Sequence, residues 1–160
     1  MKTFVVVGAV AGVMVAAGGC AAASPGAVPA ASATHTPAAA YLAIARTGNA
    51  RLDKDFDRFS GPDRNQLAAS AADLRDIAAT EHVFDQHLAQ LALPAQAAAR
   101  AHTLIRANEA RASLTLRAAD STTLRQLDSL RPSLTAANAP VERAVSAIRT
   151  TLGLPPPDTS

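Results

Sequence analysis

The stretch LAASAADLRDIAATEHVFDQHLAQL, residues 67–91, decides the fold. Within it Leu67, Ser70, Leu74, Ile77, Glu81, Phe84, Leu88 and Leu91 follow one another at alternating steps of three and four residues. Those steps return a side chain to one face of an α-helix, and the sustained three–four rhythm is the seam of a helical bundle. A strand would place its apolar residues two apart. The spacing therefore predicts a helix over about 63–92, closed by the turn at Leu93-Pro94.

The same rhythm runs outward on both sides. Upstream, Leu42, Ala45, Asn49, Leu52, Phe56 and Phe59 form one face of a segment over about 38–59. Ser60-Gly61-Pro62-Asp63 stops it, with Gly as terminator and Pro as breaker. Downstream, Ala98, Ala101, Ile105, Asn108, Ala112, Thr115 and Ala119 carry a third segment over about 94–119. Its seam is thin, so a neighbour can come close. Asp120-Ser121-Thr122-Thr123 favours a turn and a new N-cap. A fourth segment over about 121–152 reads Leu124, Leu127, Arg131, Leu134, Asn138, Val141, Val145, Ile148 and Leu152. The register survives Pro132 and Pro140, which predicts one kinked element. Four segments with short turns imply an all-α, up-down-up-down four-helix bundle over residues 38–154, followed by a disordered tail over 155–160. A long two-helix hairpin is the alternative, if residues 95–130 are one continuous helix.

Polar residues interrupt the seam at Asn49, Glu81, Asn108, Arg131 and Asn138. Counting outward from each turn places Tyr41, Glu81, Asn108 and Arg131 at one level. Two readings follow. Glu81 and Arg131 pair, with Tyr41 and Asn108 satisfying the remaining groups, and the layer fixes register at some cost in stability. Alternatively the layer lines a small ligand pocket. A di-metal bundle site needs Glu-x-x-His on facing helices. Here Glu81 is followed at the third position by Phe84, and Glu109 by Ala112, so no metal is expected. His82 and Asp85 are three apart with His87 nearby, a spacing that a surface metal site could use, but isolated histidines on an Arg-rich bundle read as solvated.

The N-terminus has a different character. Lys2 precedes an apolar run from Phe4 to Ala17, about as long as the core of an export signal and shorter than the ~20 residues a spanning helix needs. The run ends in Ala17-Gly18-Gly19-Cys20, which holds the chain's one cysteine. This end resembles the lipobox of bacterial lipoproteins, with Ala17 where that family most often has Leu. The resemblance implies a signal peptide over residues 1–19, cleavage between Gly19 and Cys20, and a diacylglyceryl group on the Cys20 thiol. Two acyl chains give stable anchoring. Residues 20–37 then read as a lipidated cysteine and a disordered Ala/Ser/Pro tether, since Ala21–Ala40 contains Pro25, Pro29 and Pro37 and no ionisable side chain but His35.

Composition narrows the rest. Arginine outnumbers lysine thirteen to two, yet the net charge is only +2. Residues 46–93 balance at −2 and residues 100–149 at +4, a split that suits attraction between the halves of one bundle. With no Trp, one Tyr and four Phe, the chain lacks the stacking aromatics of a nucleic-acid face. One cysteine makes no internal disulfide. Nucleophile-elbow, zincin, phosphate-loop, dinucleotide-binding and haem-attachment motifs are all absent from the sequence. No cofactor and no catalytic residue is expected. Anchor, spacer and bundle together resemble the small Ala/Arg-rich lipoproteins of high-GC Gram-positive bacteria, a resemblance that implies no defined activity. The expectation is a lipid-anchored cell-envelope lipoprotein on the extracytoplasmic face of the cell membrane. Its bundle would be a non-enzymatic interaction or structural module. Its partners would be the membrane, through Cys20, and an envelope protein or component. The alternative is a small-ligand or metal-binding lipoprotein that uses the core polar layer. The faces around Arg51, Asp55 and Arg58 and the later Arg-rich faces are candidate contacts.

Overall fold

A computed structural model describes residues 36–157. The expected signal peptide, the expected lipid site at Cys20 and most of the expected tether lie outside the described residues, as do residues 158–160. The described chain is all-helical: α1 (Pro37–Ser60), α2 (Leu67–Ala89), α3 (Ala95–Ala119), α4 (Leu124–Ala136) and α5 (Asn138–Thr151). Helices α4 and α5 are the two halves of the expected kinked fourth segment, separated by Ala137 alone. The result is the four-helix bundle the seam rhythm predicts. None of the described helices is long and apolar enough to cross a membrane.

Local chemistry sets the boundaries. Thr36 caps α1 by accepting from the Ala39 N–H at 3.2 Å, and Pro37 stands first in the helix, where its missing N–H costs nothing. The second helix begins at Leu67, four residues later than the rhythm suggests. Asp63 is held in the turn, where its carbonyl accepts from the Ser70 hydroxyl at 2.7 Å and from the Gln66 N–H at 3.0 Å. Helix α4 starts on a relative of the capping box. Thr123 Oγ1 accepts from the Gln126 N–H at 3.2 Å, while Gln126 Oε1 accepts from the Thr122 N–H at 2.9 Å. At the other end of α5, Gly153 has φ +68°. It closes a Schellman turn in which the Leu154 N–H reaches Arg149 O at 2.9 Å.

Helix α1 packs on α2, α2 on α3, and α3 on both α4 and α5. Side chains close the ring from α1 to the fourth element. The Arg131 guanidinium lies 5.4 Å above the Phe59 ring, and Tyr41 shares a cluster with Val141, Val145 and Ile148. The core has two parts. One cluster, at the end where the chain enters α1, contains Tyr41, Leu88, Leu104 and Ile148. The other, at the far end, contains Phe59, Leu74, Ile77 and Leu127. The tail is not wholly free. Arg149, only 5% exposed, donates from Nε to Pro155 O at 2.7 Å and from Nη2 to Pro156 O at 3.4 Å.

Candidate functional site

Between the two apolar clusters lies a buried polar layer. Helix α2 contributes Glu81 and Asp85, four residues apart and so on one face. Helix α3 contributes Asn108 and Arg111, three apart on the facing side. Because the helices are antiparallel, a step forward on α2 matches a step back on α3, and two rungs form. Arg111 Nη2 lies 2.9 Å from Glu81 Oε1, and Asn108 Nδ2 donates to Asp85 Oδ1 at 2.8 Å. Arg111 Nη1 also donates to Asn138 Oδ1 on α5 at 3.4 Å.

The layer holds one charge pair, Glu81 with Arg111, and is incompletely hydrogen-bonded. Glu81 is 2% exposed, and both its carboxylate oxygens, Asn108 Oδ1 and Arg111 Nε have no hydrogen-bond partner among the described residues. The Glu81–Arg111 approach is thus an ion pair outside good hydrogen-bond geometry. Burial pushes the Glu81 carboxyl up to about 7; Arg111 pulls it back and Asp85 adds to the rise. Burial also pushes Asp85 up to about 6, opposed by the hydrogen bond from Asn108 and reinforced by Glu109.

The structure redistributes the residues expected at this level. Glu81 and Asn108 are in the layer, but each takes a different partner. Arg131 does not meet Glu81. It bonds Asp128 at 2.7 Å within its own helix and covers Phe59. Asn138, which does reach Arg111, is seven residues beyond Arg131, so Arg131 lies about 10 Å further along the bundle. Tyr41 sits with Leu88, likewise seven residues from Glu81, and its ring meets Phe84 edge-on at 6.5 Å. Burial pushes its hydroxyl up to about 12, with Arg149 opposing. Counting from the turns fails because the turns do not fold back symmetrically. Leu88, one residue from the end of α2, packs with Ala101 and Leu104, six and nine residues into α3.

Arg111 escapes the seam pattern because it stands one position off the apolar face, beside Ala112. Its long side chain reaches inward from the flank. The matched spacing of Glu81/Asp85 and Asn108/Arg111 is the signal that could have found it.

A second polar cluster joins α1 to α2. Arg58 Nε donates to Asp73 Oδ1 at 2.8 Å, and Nη2 donates to Asp55 at 2.8 Å and Asp76 at 3.0 Å. Burial raises the Asp55 carboxyl; Arg58 opposes, and Asp76 and Asp73 reinforce. This cluster borders a surface groove of about 320 Å³, also lined by Arg51, Lys54 and Val83. A groove of about 330 Å³ lies between α3 and α5, rimmed by Arg100 and Arg143 over Ala107, Ala144 and Ala147. Neither groove is lined by a residue of the Glu81 layer. Among the described residues no three His, Cys, Asp or Glu side chains converge to hold a metal ion; His82 instead lies 3.0 Å from Gln86 Nε2.

No protein-family model matches this chain, and neither do any curated protein sequences or solved structures.

Proposed function

We propose that this protein is a lipid-anchored cell-envelope lipoprotein whose helical bundle acts, without catalysis, as an interaction or structural module. The observation that carries the module half of this reading is where the polar groups sit. Glu81 is matched by Arg111 and Asp85 by Asn108, inside the bundle, while both grooves open on its surface. Such an arrangement uses buried charge to set helix register and leaves the outer faces for partners. The anchor half rests on Lys2, the apolar run and Ala17-Gly18-Gly19-Cys20.

The test is flotation and crosslinking in intact cells expressing wild type or Cys20→Ala. The wild type should float with membranes and give specific crosslinks, and Cys20→Ala should be released. A Cys20→Ala protein that stays fully with membranes sinks the anchor. A wild type that captures nothing specific sinks the module. One observation favours a small-ligand reading instead: the unpartnered oxygens of Glu81 and Asn108 could receive a donor. Metal analysis of the purified protein, and a search for co-purifying small molecules lost in Glu81→Gln, separate the two.

A further inference from the structure

The exposed ion pairs are sorted along the bundle, although Arg64, Arg117 and Arg125 at the far end are exposed without one. At the far end, acids meet bases: Asp76 bonds Arg58, Asp120 bonds Arg75 at 3.1 Å, and Asp128 bonds Arg131. In the half where the chain enters α1, Arg46, Arg100 and Arg143 are exposed, and none of them takes part in an ion pair among the described residues. Arg100 and Arg143 both line the α3–α5 groove, over a floor of alanine methyl groups. Those alanines belong to the same half: Ala144 is in the cluster with Tyr41, and Ala107 packs against it.

We infer that the α3–α5 groove docks the headgroup of an anionic phospholipid, holding the bundle against the membrane to which it is tethered. This rests on the lipid-anchor reading above. A guanidinium pair matches a phosphodiester, which each arginine can meet with two donors. The alanine floor suits the glycerol and first methylenes. The tether selects the membrane over a soluble acidic partner. Cys20 is sixteen residues before Thr36, and the tether expected from the sequence would reach roughly 20–25 Å as a coil. Helix α1, with 24 residues, is itself about 36 Å long. The half carrying the arginines is therefore held at high effective concentration beside the headgroups, and the far half is not.

The chain has no tryptophan, so Thr103→Trp places a single fluorophore at the groove, and Leu116→Trp places one in the far half, at a side chain 44% exposed. Full-length protein purified from membranes is reconstituted into phosphatidylcholine vesicles carrying brominated lipid, with or without phosphatidylglycerol. The Thr103→Trp signal should be quenched only when phosphatidylglycerol is present, and high salt should relieve the quenching. Arg100→Gln with Arg143→Gln should lower the docked-to-free ratio about 25-fold, at ~fivefold per arginine. Leu116→Trp should stay unquenched. Quenching that ignores phosphatidylglycerol or the arginine pair overturns the inference, as does a groove fluorophore that vesicles never quench, the result expected if the groove takes an acidic protein segment. Flotation in the same tube separates the two readings. Protein that does not float refutes the anchor, whereas protein that floats with a silent groove refutes only the docking. If Thr103→Trp disturbs the helical circular dichroism, protection of Arg100 and Arg143 from phenylglyoxal by phosphatidylglycerol vesicles serves in the unsubstituted chain. Equal labelling with and without vesicles then overturns the inference.

Discussion

Glu81 is the residue on which the energetics of the core turn. Its folded carboxyl holds a proton up to about pH 7, whereas the free side chain releases it near 4.5. Between those values the native state binds more protons than the unfolded chain, so stability rises as pH falls through the window and levels off below it. Asp85, raised to about 6, acts in the same direction. The Glu81 contribution is at most about 3 kcal/mol. Thermal melts from pH 8 to pH 5 should therefore show Tm increasing on acidification. Glu81→Gln, a permanent stand-in for the neutral acid, should flatten most of that rise and melt higher than wild type at pH 8. A wild type whose Tm falls steadily on acidification contradicts this. Arg111→Met is the counterpart. It strands the Glu81 charge beside Asp85, and should cost about 3 kcal/mol at pH 8 and much less at pH 5. Equal cost at both pH values would mean that Arg111 contributes packing and not charge.

At the scale of elements, Gly48 in α1 and Gly153 after α5 give opposite predictions. Gly48 lies inside α1, and a Cβ there would stand 3.6 Å from Phe84 Cδ2, an ordinary contact. Gly48→Ala should stabilise by ~0.5–1 kcal/mol through helix propensity. Gly153, just past α5, meets nothing within 4 Å, but its φ of +68° is left-handed. Gly153→Ala should cost about 1 kcal/mol through the backbone alone. Urea titrations of both variants read the two signs, and a stabilised Gly153→Ala would mean that the Schellman turn does not hold the end of α5. The elements themselves are legible in sequence because seam spacing and stop residues are local properties. Leu42 to Phe59 and Leu67 to Leu91 each read as one helix, and Pro132 and Pro140 bracket the break at Ala137. Sequence does not supply the axial offset between neighbouring helices, which depends on how residues 90–94 and 120–123 turn. That is why the seam count sets Arg131 beside Glu81, and why it passes over Arg111, off the seam. The Arg149 grip on Pro155 and Pro156 is equally hidden, since nothing local marks a buried arginine bonded to backbone carbonyls.

For the whole molecule, the polar layer and the break at Ala137 divide the bundle's stability unevenly. Helices α2 and α3 pack along their length, and α2 has ten buried residues. Helix α4 has one, Leu127; its other apolar side chains are only partly covered. Arg131 over Phe59 adds a link to α1 worth about 1 kcal/mol. Because the helix is interrupted at Ala137, α4 can lift away without dragging α5 from the Tyr41 cluster. A segment that buries little apolar surface opens at little cost, so α4 should be the least protected helix. In native-state hydrogen exchange its amides should exchange well before those of α2 and α3, while α5 stays with the core. Ile148→Val sharpens the test. Ile148 is fully buried in the Tyr41 cluster, so its packing survives an opening confined to α4 and is given up only when the whole bundle unfolds. The loss of one methylene, at about 1 kcal/mol, should speed the slowest amides of α2 about fivefold and leave the α4 amides at their wild-type rates. If protection in α4 and α2 instead falls together by the same factor, the bundle opens as one unit, and the break at Ala137 shapes the fold without dividing it.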